Sequence, residues 1–174
     1  EAVQIAEKNP EKEVVFFAVG FETTAPSNAL SVVHAQKLGL KNFSLLVSHV
    51  LVPPAMEAIL DDKFCNIDAF LGAGHVCTIM GTSEYFPLAE KYKIPIVVSG
   101  FEPADLLQAI YHAVLQLEKG EHKVENCYER LVKDEGNIPA QKVVNEIFEI
   151  GTQEWRGIGE IPNSGLVMKE KYKD

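Results

Sequence analysis

The chain has 174 residues, 47% hydrophobic and 24% charged, a composition that supports a packed core and excludes an intrinsically disordered chain. A formal charge of −9 and a sequence pI near 5.1 leave no basic stripe for phosphate backbones, so nucleic acid is not an expected partner. No apolar run reaches the ~18–20 residues of a membrane span and no secretory pattern is read at the start, which makes a cytoplasmic protein without membrane contact the expectation.

Glu1 to Pro10 reads as the last turns of a helix, and with no initiator Met the chain reads as a piece of a longer protein. Val14 to Val19 is a continuous β-branched and aromatic run closed by Gly20, the pattern of a strand buried on both faces. Ser27 to Leu38 carries Ala29, Leu30, Val33 and Leu38 at helical spacing, with Gly39 at the C-terminal cap position. Phe43 to Val47 predicts a second strand. Pro53-Pro54 opens a short helix through Leu60, proline being tolerated in a first turn that has no use for its missing N–H.

Asp68 to Leu71 predicts a third strand, followed by Gly72-Ala-Gly74-His75 and a helical stretch that breaks near Gly81-Thr82 and resumes over Ser83 to Lys91. Ile94 to Val98 predicts a fourth strand, and Pro103 to Lys119 the longest helix. The expectation is an α/β fold: a Rossmann-like parallel sheet of about four strands with helices on both faces, over residues 1–120. Residues 121–174 are expected to add amphipathic helices at Val124 to Val132 and Ala140 to Ile150, then an irregular tail docked through Trp155.

In a parallel sheet the segments that follow the strands share one edge, where α/β proteins bind ligands. Here they are Gly20-Phe-Glu22-Thr23-Thr24, Ser48-His49, Gly72-Ala-Gly74-His75 and Ser99-Gly100-Phe-Glu102. The echo of Gly20-Phe-Glu22 in Gly100-Phe-Glu102 places two equivalent carboxylates on that rim. Each residue also has a plain structural use: Thr24 as a cap, the glutamates as acceptors for helix N–H groups, the glycines as conformational relief.

Several chemistries stay open. Gly72-Ala-Gly74 after a strand is like a dinucleotide turn, but Cys77 holds the third glycine position. His49, His75, Glu22 and Glu102 are ligand types for iron or zinc without diagnostic spacing. Cys77, two residues after His75, lacks an evident orienting group for a nucleophile. Cys65, Cys77 and Cys127 form no Cys-x-x-C pair, so they are expected as reduced thiols, and no metal ligand set is expected within the chain. His34, His112 and His122 are expected as solvated or core-edge side chains.

Taken in order, Phe16-Phe-Ala-Val-Gly-Phe-Glu-Thr-Thr24, His49 followed by Pro53, Asp68-Ala-Phe-Leu-Gly-Ala-Gly-His-Val76, Ser99-Gly-Phe-Glu-Pro-Ala-Asp-Leu-Leu107, Val124-Glu-Asn126 and Glu154-Trp-Arg-Gly157 resemble the HypD family of hydrogenase maturation proteins. The resemblance implies a scaffold on which the Fe(CN)2CO group of [NiFe] hydrogenases is assembled, acting with HypC and HypE. It implies that the family's iron-handling cysteines and [4Fe–4S] ligands lie outside this chain, which then carries no cofactor of its own. It further implies that His75, Glu102, Glu22, Thr23 and Thr24 are candidates for donating hydrogen bonds or protons toward the iron group, with Gly20, His49, Gly74 and Gly100 shaping the binding edge. Ala73 stands where the family commonly has proline and Cys77 where serine is common. The alternative from the residues alone is an α/β enzyme or binding domain holding a small anion at the helix N-termini.

Overall fold

The computed structural model describes residues 1–173. In chain order its elements are α1 (Ala2–Lys8), β1 (Val14–Gly20), α2 (Ala25–Lys37), β2 (Phe43–Val50), α3 (Val52–Leu60), β3 (Phe70–Ala73), α4 (Gly74–Met80), α5 (Tyr85–Tyr92), β4 (Ile96–Ser99), α6 (Pro103–Lys119), β5 (Val124–Asn126), α7 (Ile138–Ile147), β6 (Phe148–Trp155), β7 (Gly159–Met168) and a 3-10 turn at Glu170–Tyr172. The α/β class and its Rossmann-like strand-helix units are as expected. The strands, however, divide between two sheets, and the chain forms two compact units: Glu1–Val52 with the segment from Pro139 onward, and Pro53–Ile138.

The first unit holds a mixed sheet in the order β1-β2-β7-β6. β1 and β2 are parallel, from Val14 opposite Phe43 to Gly20 opposite His49, and β7 joins antiparallel through His49–Leu166 and Val50–Gly165. The core forms on one side, where Ala25 and Ala29 of α2, Val144 and Ile147 of α7, and Phe148 and Leu166 of the hairpin pack together with Leu45 and Val47. Because β1 is an edge strand covered on one face only, Val15, Phe17 and Val19 are exposed, which corrects the expectation of burial on both faces.

The tail is also corrected. Rather than an irregular segment, 148–168 is an antiparallel hairpin with a bulge between Gly151 and Gln153. Its glycines and Asn163 read as loop residues in isolation, but Asn163 takes a left-handed φ of 56° within the strand, and β7 pairs along its length with β6 and at Gly165 and Leu166 with β2, which satisfies backbone groups that a loop would leave to solvent. Trp155 is tied into the hairpin by its indole N–H donating to Ser164 Oγ at 2.9 Å.

The second unit holds a parallel sheet in the order β3-β4-β5. Its central strand β4 is buried throughout, and Ala109 and Ala113, one turn apart on α6, let that helix approach Val97 closely. Pro103 starts α6 and Gly120, at φ 65°, stops it. The break between α4 and α5 falls at Gly81-Thr82 as expected, where Thr82 Oγ1 donates to Asp134 Oδ1 at 2.8 Å.

The expected helix over Val124 to Val132 is absent. Val124 to Asn126 pairs with β4 instead, and Asn126 then folds the chain back: its Oδ1 accepts from the Tyr128 N–H at 2.9 Å and its Nδ2 donates to the Val132 carbonyl at 3.0 Å. A side chain that bonds neighbouring backbone in this way replaces helical hydrogen bonds. Among the described residues no helix is long and apolar enough to cross a membrane.

Candidate functional site

The candidate residues fall into two groups, one per unit, at the C-terminal ends of the parallel strands. In the first unit they are built into the structure. Glu22 is 3% exposed, and its Oε1 accepts the Val52 N–H at 2.7 Å, tying the turn after β1 to the start of α3. Thr24 Oγ1 donates to the Phe21 carbonyl at 3.1 Å, and a Cβ on Gly20 would lie 2.2 Å from that hydroxyl, so Gly20 is needed for the turn to close. Thr23 is half-buried in the same turn.

His49 is completely buried at the end of β2. Its Nε2 lies 2.8 Å from Asn28 Nδ2 and its ring stands 5.7 Å from that of Phe148. Burial pushes its pKa below the usual 6.5, keeping the ring neutral. With the Asn28 amide donating to Nε2, the ring proton sits on Nδ1, which has no partner among the described residues.

In the second unit the group is open. His75, at the second position of α4, is exposed, and its ring stacks at a tilt on Phe101, with centroids 4.9 Å apart. Phe101 is itself 60% exposed. This contact joins the loop after β3 to the loop after β4. Glu102 caps α6 in extended conformation, with its carboxylate largely exposed and 3.7 Å from Arg130. An exposed imidazole, a carboxylate and a guanidinium thus collect along one sheet edge, a set able to exchange a proton and to meet a polar or anionic group.

Gly74 and Gly100 are held without side chains by their neighbours. They make room for Tyr128: a Cβ on either would come within 2.5 Å of its ring, and at Gly100 within 2.1 Å of Asp105 Oδ2 as well. Sequence reasoning missed the network that this seating completes. Arg130 makes two 2.7 Å bonds to the carboxylate of buried Asp105 and lies over the Tyr128 ring at 4.4 Å. The Arg130 guanidinium holds Asp105 below the usual carboxylate range. The available signal was Asp105 in the first turn of α6, an acid placed where a helix favours one, but Arg130 lies 25 residues away.

The three cysteines do not supply the four thiolates of a [4Fe–4S] cluster, and Cys77 is completely buried.

All 174 residues match the family described as the hydrogenase formation hypA family, HypD. The chain is 46% identical over 180 residues to the hydrogenase expression/formation protein HupD of Azotobacter chroococcum, covering all of this chain and 48% of that protein. It is equally similar to the hydrogenase maturation factor HypD of Azotobacter vinelandii, at 46% with the same coverage. The factor HypD of Rhodobacter capsulatus is 42% identical over 174 residues, covering 99% of this chain and 46% of that one. The chain therefore spans about half the length of the curated relatives it matches.

Proposed function

Because this chain belongs to the HypD family, we propose that it forms part of a scaffold for hydrogenase maturation, on which the Fe(CN)2CO group of [NiFe] hydrogenases is assembled together with HypC and HypE. In that role iron and its diatomic ligands are cargo, held by cysteines outside this chain. The second unit's edge supplies the polar contacts: His75 exchanges a proton or donates a hydrogen bond toward the cargo, and Glu102 and Arg130 set the local charge. The single observation that carries this reading is the exposure of His75, held against Phe101 beside Glu102, within a chain that matches the family from end to end.

A second use of the same edge has its own support. Phe101 is exposed beside a charged rim, the composition of a protein contact. The two uses separate in one experiment on full-length protein carrying His75→Ala, with co-purification of HypC and HypE measured beside hydrogenase activity. Lost activity with intact partner binding supports contact with the cargo. Parallel loss of both assigns the edge to docking, and full activity removes His75 from the proposal.

A further inference from the structure

We propose that His112, Glu125 and Cys127 form a binding site for one borderline-soft divalent metal ion of the zinc class, where β5 lies against α6 in the second unit. The three side chains offer one imidazole nitrogen, one carboxylate oxygen and one sulfur, all within 4.8 Å of one another. The topology brings them together from two directions. Glu125 lies in β5 and Cys127 in the bend just after it, and their donor atoms meet that of His112 on α6, one helical turn before Gln116.

His112 Nδ1 lies 2.6 Å from Glu125 Oε1, and Gln116 Nε2 donates to the other carboxylate oxygen at 2.9 Å. Gln116 is 4% exposed, so it fixes the carboxylate plane from within the fold, as supporting groups do around metal ligands. Beside the three lies an open cavity of about 340 Å³, also lined by Gln108, Asn126 and Glu129, large enough for an ion and a water. Glu129 adds a second negative charge to its wall. Arg130 borders the cavity too, but its guanidinium is engaged by Asp105 through two hydrogen bonds.

The donor set selects the metal. Imidazole with thiolate suits zinc-class ions, whereas magnesium and calcium require oxygen donors throughout. A tetrahedral ion at ~2.0 Å from nitrogen and ~2.3 Å from sulfur needs donors roughly 3.5 Å apart. The histidine–glutamate pair must open and the thiol close in, movements available to half-buried side chains bordering a cavity. Water completes the fourth position.

The test uses the reduced 174-residue chain and two probes, Co²⁺ and Zn²⁺. One Co²⁺ per chain is expected to bind with a thiolate-to-metal charge-transfer band, and one equivalent of Zn²⁺ to displace it. Cys127→Ser is expected to abolish the band, and His112→Ala and Glu125→Gln each to weaken binding at least ~10-fold. Where a variant loses its circular dichroism spectrum, the unmodified chain decides: Zn²⁺ should protect Cys127, and not Cys65, from alkylation. No saturable band, a band that survives Cys127→Ser, or equal alkylation of Cys127 with and without Zn²⁺ overturns the site and leaves a hydrogen-bonded histidine–glutamate pair.

Discussion

Each unit places a histidine and a Gly-Phe-Glu turn at the ends of parallel strands, yet the two sets have opposite surroundings. In the first, β7 pairs with the end of β2 at His49, Phe148 packs against the ring, and Glu22 is folded beneath the turn to hold the Val52 N–H. In the second, His75 and Phe101 are exposed and Glu102 projects outward. The Gly-Phe-Glu triplet is the same; what differs among the described residues is the covering of the turn. The antiparallel β6-β7 hairpin covers His49 in the first unit, making a polar strand-end residue a structural one. The repeated motif therefore marks a repeated turn, and exposure separates the copy whose side chains reach the surface from the copy whose side chains are built into the fold.

The comparison breaks most readily at the histidines. His49→Ala empties a fully buried position and is expected to cost on the order of 3 kcal/mol, whereas His75→Ala should cost under ~1 kcal/mol, the worth of one exposed ring contact. Urea denaturation of both variants measures this, and equal losses contradict the assignment.

The next effect is at the glutamates and glycines. Glu22→Ala leaves the Val52 N–H without its acceptor, at an expected cost of about 1–3 kcal/mol, while Glu102→Ala should stay within ~0.5 kcal/mol. Gly100→Ala drives a methyl group into Tyr128 and Asp105, with about 1–3 kcal/mol of overpacking expected. Thermal melts of the three variants, at equal concentration and pH, order them.

A smaller effect separates the histidines by pH. The unfolded His49 ring takes up a proton near 6.5, and the buried ring resists doing so until lower pH, so the unfolded state binds more protons in that window. Stability contributed by the neutral ring is complete above pH 6.5 and is lost as pH falls below it. The decline in melting temperature between pH 7 and pH 5.5 should shrink in a folded His49→Gln variant and persist in His75→Gln. An unchanged slope in His49→Gln contradicts a buried, neutral ring.

Much of this fold was legible because its signals are local. The runs Val14 to Gly20 and Phe43 to Val50, the Pro103 start and Gly120 stop of α6, and the break at Gly81-Thr82 all depend on neighbouring residues. What sequence reasoning lost depends on distant partners. Val124 to Asn126 forms a strand because β4 presents a free edge to it, and 159–168 forms one because β2 and β6 flank it. The candidate residues themselves were legible as a set of strand ends, but their division into covered and open copies was not, since it depends on a hairpin about 100 residues beyond His49. Arg130 was invisible for the same reason: its partner Asp105 lies on another element.

The central claim is that His75 acts while His49 supports. The most direct measurement is hydrogenase maturation in cells whose only full-length family protein carries His49→Gln or His75→Gln, with its abundance and melting temperature measured in the same strains. The account predicts that His75→Gln accumulates normally, melts within a few degrees of the parent and loses maturation ~10 to 100-fold, whereas His49→Gln loses stability, abundance and maturation together. Normal maturation by a stable, abundant His75→Gln protein would contradict it.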